Sequence, residues 1–179
     1  VATGQLTVAQ NVVVRLTLHG GAVGVGEAAP FPDISGETRE STLHALQRLA
    51  PLVLGQPATE WRRVAQGCDT AMPDAPAALC AIETALLDAL CQAMKVPLWT
   101  VWGGADVRPR ETDITIPIAS AERTLVLARE WYAKGFRLLK MKVGTDVEED
   151  IRRIESLVQV LPDVRFLPDG NQGFSEQEC

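Results

Sequence analysis

Phe136-Arg137-Leu138-Leu139-Lys140-Met141-Lys142-Val143 is a run of eight residues whose chemistry changes with period two. Strand side chains alternate between faces, so Phe136, Leu138, Lys140 and Lys142 share one face while Leu139, Met141 and Val143 share the other. Two lysines therefore point the same way. Lysine is almost never fully buried without a partner, so in a helix-covered sheet this pair either snorkels to solvent at the strand end or reaches a polar cavity there. A cavity gives the pair a chemical use: an ammonium beside another ammonium is disfavoured, which predicts a neutral amine base near physiological pH.

Downstream, Asp146 caps a predicted helix running to about Leu161, and Val164 to Asp169 reads as another strand. Asp169 and Asn171 end that strand on one face, at the same rim as Lys140 and Lys142. Asp-Gly-Asn is also a common turn sequence, so the segment has a bland reading as well as a functional one. Upstream, Thr112 to Ile118 reads as a strand, and Ser120 as the N-cap of a helix that ends at Gly135. Strand, helix, strand, helix, strand implies a parallel sheet with right-handed crossovers. This organisation starts after a boundary near residue 105.

The first 105 residues are built differently. Leu6 to Leu18 contains the alternation Val12, Val14, Leu16, Leu18; Gly20-Gly21 supplies a turn, and Val23 and Val25 resume the pattern, which predicts a β-hairpin. Gly24-Val25-Gly26 does not open a helix, because Pro30 and Pro32 follow, so it lacks the helix N-terminus a dinucleotide loop needs. Pro30 to Gly36 reads as a surface loop. A helix is predicted from about Glu37 to Leu54, with Leu43, Leu46, Leu49, Ala50 and Val53 inward, Glu37 and Glu40 in its first turn, and Pro51 as a kink or early stop. A second is predicted from about Ala75 to Met94, with Leu79, Ile82, Leu86, Ala89, Leu90 and Ala93 on one face and Pro97 as a stop. Hairpin and helices make an α+β unit large enough to hold a core.

Composition limits the rest. Of 179 residues, 46% are hydrophobic and 22% charged, which is ordinary for a globular chain and excludes disorder and fibrous folds. A net charge of -6, with scattered Lys and Arg, provides no electrostatic footprint for nucleic acid or an anionic membrane. Apolar runs such as Leu52 to Leu54 fall short of the roughly 20 residues of a membrane helix. Cys68, Cys80, Cys91 and Cys179 form no Cys-x-x-Cys pair, and His19 and His44 stand isolated, so neither a disulfide framework nor a zinc site is expected. The expected compartment is the cytoplasm.

In order and spacing, four segments resemble the enolase superfamily, specifically its muconate-lactonizing-enzyme subgroup. Gly24-Val25-Gly26-Glu27-Ala28 resembles that family's capping domain, and Trp102-Gly103-Gly104 its link into the barrel. Lys140-Met141-Lys142-Val143-Gly144 resembles its Lys-x-Lys strand, and Asp169-Gly170-Asn171-Gln172-Gly173 its Asp-x-Asn segment. Thr112-Asp113-Ile114-Thr115-Ile116 is similar to the first barrel strand of dipeptide epimerases of the Ala-Glu type. The implied fold is an α+β capping domain over residues 1–105, lacking its first strand, followed over 106–179 by the first three strands of an incomplete (β/α) barrel.

The resemblance also implies chemistry: abstraction of the proton alpha to a carboxylate, with Mg²⁺ stabilising the enediolate. It assigns Lys142 as the acid/base on one substrate face, Lys140 as its electrostatic tuner and Asp169 as the first metal ligand. Asn171 is then a supporting polar group and Thr115 a substrate contact. A single Asp is insufficient for a hard cation, so the remaining carboxylates and the opposite-face lysine are expected on strands beyond Cys179, and the cap's first strand and substrate-covering loop before Val1. The expected partner is a small-molecule carboxylate or dipeptide, with homo-oligomerisation open. An o-succinylbenzoate synthase, an N-acylamino-acid racemase or a cycloisomerase would use the same mechanism. The 179 residues alone are expected to be inactive, and a reading of another class makes them an interaction unit with exposed sheet edges and exposed apolar faces at Leu139 and Leu167.

Overall fold

The computed structural model describes residues 8–104, 108–171 and 173–177. The first two residues of the expected hairpin, Gln172 of the Asp-x-Asn segment and Cys179 lie outside the described residues. Two compact units divide between Gly104 and Arg108.

In the first unit, β1 (Val12–Thr17) and β2 (Val23–Ala28) form an antiparallel pair in which Val12 faces Ala28 and Thr17 faces Val23. The expected loop after β2 contains one exposed helical turn, α1 (Pro32–Ser35). Helix α2 (Arg39–Val53) starts at a reciprocal cap: the Thr38 hydroxyl accepts from Ser41 N–H, and Ser41 Oγ accepts from Thr38 N–H. Pro51 lies in the last turn, and the helix continues past it to Val53. Its buried stripe is Thr42, Ala45, Leu49 and Val53, so the expected inward face is rotated and Leu43 stands exposed.

Helix α3 (Trp61–Ala71), in a stretch for which the sequence suggested no element, buries Trp61, Val64 and Cys68 at helical spacing. Helix α4 (Pro76–Met94) is the centre of the unit, packing β2 on one side and α2 and α3 on others. It buries Ala78, Ala81, Ala85 and Ala89 as well as Ile82, Leu86 and Leu87, so its apolar surface goes beyond the single face expected, while Ala93 is exposed. Length and composition would allow α4 to cross a membrane; here it serves as the core helix of its unit. One further turn, α5 (Leu98–Val101), precedes the second unit, and Trp102 meets Trp61 edge-on at 6.0 Å.

Gly24 and Gly26 explain the close seating of β2 on α4. A Cβ at Gly24 would overlap the Ala85 carbonyl oxygen and the Ala89 nitrogen; one at Gly26 would overlap the Ala81 carbonyl oxygen. The Gly-x-Gly pattern therefore lets a strand lie directly on a helix backbone, and Asp88 Oδ2 of that helix accepts from Val25 N–H at 2.8 Å.

The second unit holds β3 (Ile114–Ile116), α6 (Ala121–Ala133), β4 (Leu138–Lys142), α7 (Val147–Val160) and β5 (Arg165–Asp169). The strands form a parallel sheet in the order β3-β4-β5. Ser120 accepts from Arg123 N–H and Asp146 from Glu149 N–H, which places both helix starts at the expected caps. Leu139, Met141 and Val143 are buried with Ile116, Ala128 and Leu157 in one cluster. Leu139 is thus covered, against the expectation of an exposed face, whereas Leu167 is 48% exposed.

Candidate active site

The site forms on the face of β3-β4-β5 opposite that cluster, at the C-terminal strand ends. The register sets Thr115 beside Lys140, Lys140 beside Leu167, and Lys142 beside Asp169. Both lysines converge on one carboxylate oxygen: Asp169 Oδ2 lies 2.7 Å from Lys140 Nζ and 2.7 Å from Lys142 Nζ. Lys142 Nζ also donates to Asn171 Oδ1, and Asn171 N–H donates to Asp169 Oδ1 at 3.1 Å. Lys140, Lys142, Asp169 and Asn171 are therefore one hydrogen-bonded group. Thr115 lies on the same face and is exposed.

Charge in the group follows from this geometry. The two ammonium groups, Lys140 first, hold the Asp169 carboxyl far below the usual carboxylate range against the opposing effect of desolvation. Asp169 in turn holds Lys140 above the ordinary lysine range, through its hydrogen bond and its charge. The depression expected from a neighbouring like charge is thus overturned at Lys140, because a carboxylate sits between the two ammonium groups.

Pro168, which lacks the N–H a paired strand uses, does not interrupt the pairing. Val143 N–H donates to the Asp169 carbonyl, so alternation turns the Pro168 nitrogen towards the open side of β5. Beyond the strands the two loops come close: Gly144, at φ 109°, would place a Cβ 2.9 Å from the Gly170 carbonyl oxygen. That close approach keeps Lys142 and Asp169 on adjoining ends.

Asp169 and Asn171 offer hard oxygen donors, the chemistry a Mg²⁺ ion prefers, so one position of such a site fits Asp169. Among the described residues no group of three or more His, Cys, Asp or Glu side chains could complete it.

The sequence reading missed a buried pair behind the site. Asp150 and Arg153 of α7 have side chains only 6% and 1% exposed and join at 2.7 Å. Their signal was present: with Leu157 they occupy i, i+3 and i+7, the inward stripe of the helix, where apolar residues are the rule.

Residues 1–103 match the mandelate racemase / muconate lactonizing enzyme N-terminal domain, and residues 123–179 match the enolase C-terminal domain-like family. The chain belongs to the mandelate racemase / muconate lactonizing enzyme family, and its architecture is that family's capping domain followed by the start of its barrel. It is 38% identical over 180 residues to an aromatic dipeptide epimerase from Herpetosiphon aurantiacus, covering 100% of this chain and 50% of that protein. The crystal structure of a mandelate racemase/muconate lactonizing protein from the same organism superposes with TM-score 0.90 at 37% identity, covering 99% of this chain and 50% of the other. A dipeptide epimerase from Cytophaga hutchinsonii, solved with Mg and the dipeptide D-Ala-L-Val, superposes with TM-score 0.86 at 28% identity, over 95% of this chain and 46% of that one. The chain spans about half the length of the curated relatives it matches.

Proposed function

We propose that these residues belong to a Mg²⁺-dependent epimerase or racemase that exchanges the proton alpha to a carboxylate, with a dipeptide as substrate. The observation that carries this reading is the convergence of Lys140 and Lys142 on Asp169 Oδ2, on the face of the sheet opposite the buried cluster. A dipeptide is favoured because the relatives named above include epimerases of dipeptides. The narrower Ala-Glu preference rests on the resemblance at Thr112 to Ile116.

In this reading Asp169 holds the metal, which when bound supplies positive charge to the substrate carboxylate. Lys142 moves the proton, and its Nζ donates to Asp169 and Asn171. Lys140 keeps a second positive charge against Asp169, and Thr115 meets the substrate from β3. Cytoplasmic location belongs to the same proposal.

The test is proton exchange in D₂O with Mg²⁺, using the full-length protein and a panel of dipeptides and N-acylamino acids. Exchange with dipeptides is expected, and Lys142→Ala should lose it by about 10²–10⁴-fold for the epimer whose alpha proton faces Lys142, the contribution of a positioned acid/base. Exchange only with N-acylamino acids would reject the dipeptide reading. Full exchange in Lys142→Ala would reject the residue's role.

A further inference from the structure

Strand β4 runs past the point where β3 can pair with it. The last β3 residue in register is Ile116, opposite Met141, so the Lys142 carbonyl lies one residue beyond the paired stretch. A side chain takes over there. Arg153 Nη1 donates to the Lys142 carbonyl at 3.2 Å, and Nη2 donates to the Pro117 carbonyl at 3.3 Å, so one guanidinium joins the strand ends beyond the ladder. Arg153 Nε donates to Thr124 Oγ1 at 3.2 Å, which ties the same group to α6.

Asp150 completes the arrangement. Its Oδ1 accepts from Arg153 Nη1 at 2.7 Å, and its Oδ2 accepts from Gly144 N–H at 2.7 Å. The buried pair thus grips the backbone on both sides of Val143, by the carbonyl before it and the N–H after it. Val143 N–H is held from the opposite side by the Asp169 carbonyl. Lysine cannot replace Arg153 in this role, because an ammonium lacks the planar fork that reaches four acceptors at once.

We infer that Asp150 and Arg153 are positioning residues for Lys142: they anchor the end of β4 so that its ammonium stays over the site face. This deepens the proposed function and rests on it for the role of Lys142. A burial-only account, in which the pair merely fills the interface between α7 and the sheet, makes different predictions.

The experiment compares Arg153→Lys and the double variant Asp150→Leu/Arg153→Met with wild type in the full-length protein. The double variant removes the ion pair and leaves Gly144 N–H and the Lys142 and Pro117 carbonyls without these partners, so its Tm is expected to fall, and the local and epimer-specific readouts carry the test. Amide hydrogen exchange should quicken by about 10-fold or more at Val143 and Gly144 in both variants, with Leu139 and Ile116 unchanged. The alpha-proton exchange rate should fall by about 10- to 100-fold in kcat with KM held within about twofold, the scale of misplacing a reacting group. The fall should be larger for one substrate epimer, because Lys142 serves one face. Unchanged exchange at Val143 and Gly144, or equal slowing of both epimers, would overturn the inference. A wild-type protein that exchanges no alpha proton would instead remove the functional reading, while the amides would still decide whether the pair anchors β4.

Discussion

The Glu37 carboxylate accepts from Ala77 N–H at 3.1 and 3.2 Å, across 40 residues of sequence. Ala77 lies in the first turn of α4, where N–H groups have no helical partner and a negative charge is favoured. Local spacing placed Glu37 in the first turn of α2, since a one-dimensional pattern shows which helix a residue precedes and not which helix folds back onto it. Glu37→Ala should destabilise the protein by about 1–3 kcal/mol, the cost of leaving a hydrogen-bonded charge's partner unmet, read as a lowered urea midpoint. No shift in midpoint would show that water replaces the carboxylate. Burial also pushes the Cys68 and Cys91 thiols above their ordinary range. The unfolded chain then releases these protons at lower pH than the folded one, so stability is expected to fall as pH rises from the ordinary thiol value towards the raised one. Cys68→Ala should flatten that alkaline slope in urea titrations at successive pH values. An unchanged slope would assign it to other groups.

Local chemistry made several elements readable, although α3, which buries Trp61, Val64 and Cys68 on one face, was missed. The caps at Ser120 and Asp146 and the alternation through Leu139, Met141 and Val143 are local chemistry, and the structure follows them. Reading failed where a neighbour redefined the buried surface. The α2 stripe turned to Thr42, Ala45, Leu49 and Val53 because α3 and α4 pack there. In α7 the inward stripe accepts Asp150 and Arg153, which hydropathy assigns to solvent and the strand ends of β3 and β4 draw inside. At Gly24 and Gly26 the sequence excluded a dinucleotide loop without supplying the positive reason for two glycines, which is contact with the α4 backbone. Gly26→Ala should therefore cost about 3 kcal/mol or more, at or above the usual range for overpacking, because backbone oxygen cannot move aside like a side chain. A thermal melt measures it, and a change under 1 kcal/mol would mean that β2 lifts from α4 freely.

At the scale of the molecule, the β3-β4-β5 sheet leaves β3 and β5 each with one unpaired side among the described residues. Strand β5 adds an exposed Leu167 to its open edge. Unpaired backbone and exposed apolar surface favour pairing with another chain, so the 179 residues produced alone should sediment as species that grow with concentration. A single monomeric species from low to high concentration would show that both edges are protected. Lys140, Lys142 and Asp169 were placed on one face by strand parity, a property of a covalent backbone with a two-residue repeat, whereas Asn171 lies in a turn past the end of β5 at φ 44° and reaches Lys142 from there. Only the folded chain decided that a single carboxylate oxygen receives both ammonium groups, that Lys140 is thereby held above the ordinary lysine range, and that Arg153 closes the strand ends from behind. These depend on distances between segments far apart in sequence, and hydrogen bonds and charge interactions are set by those distances.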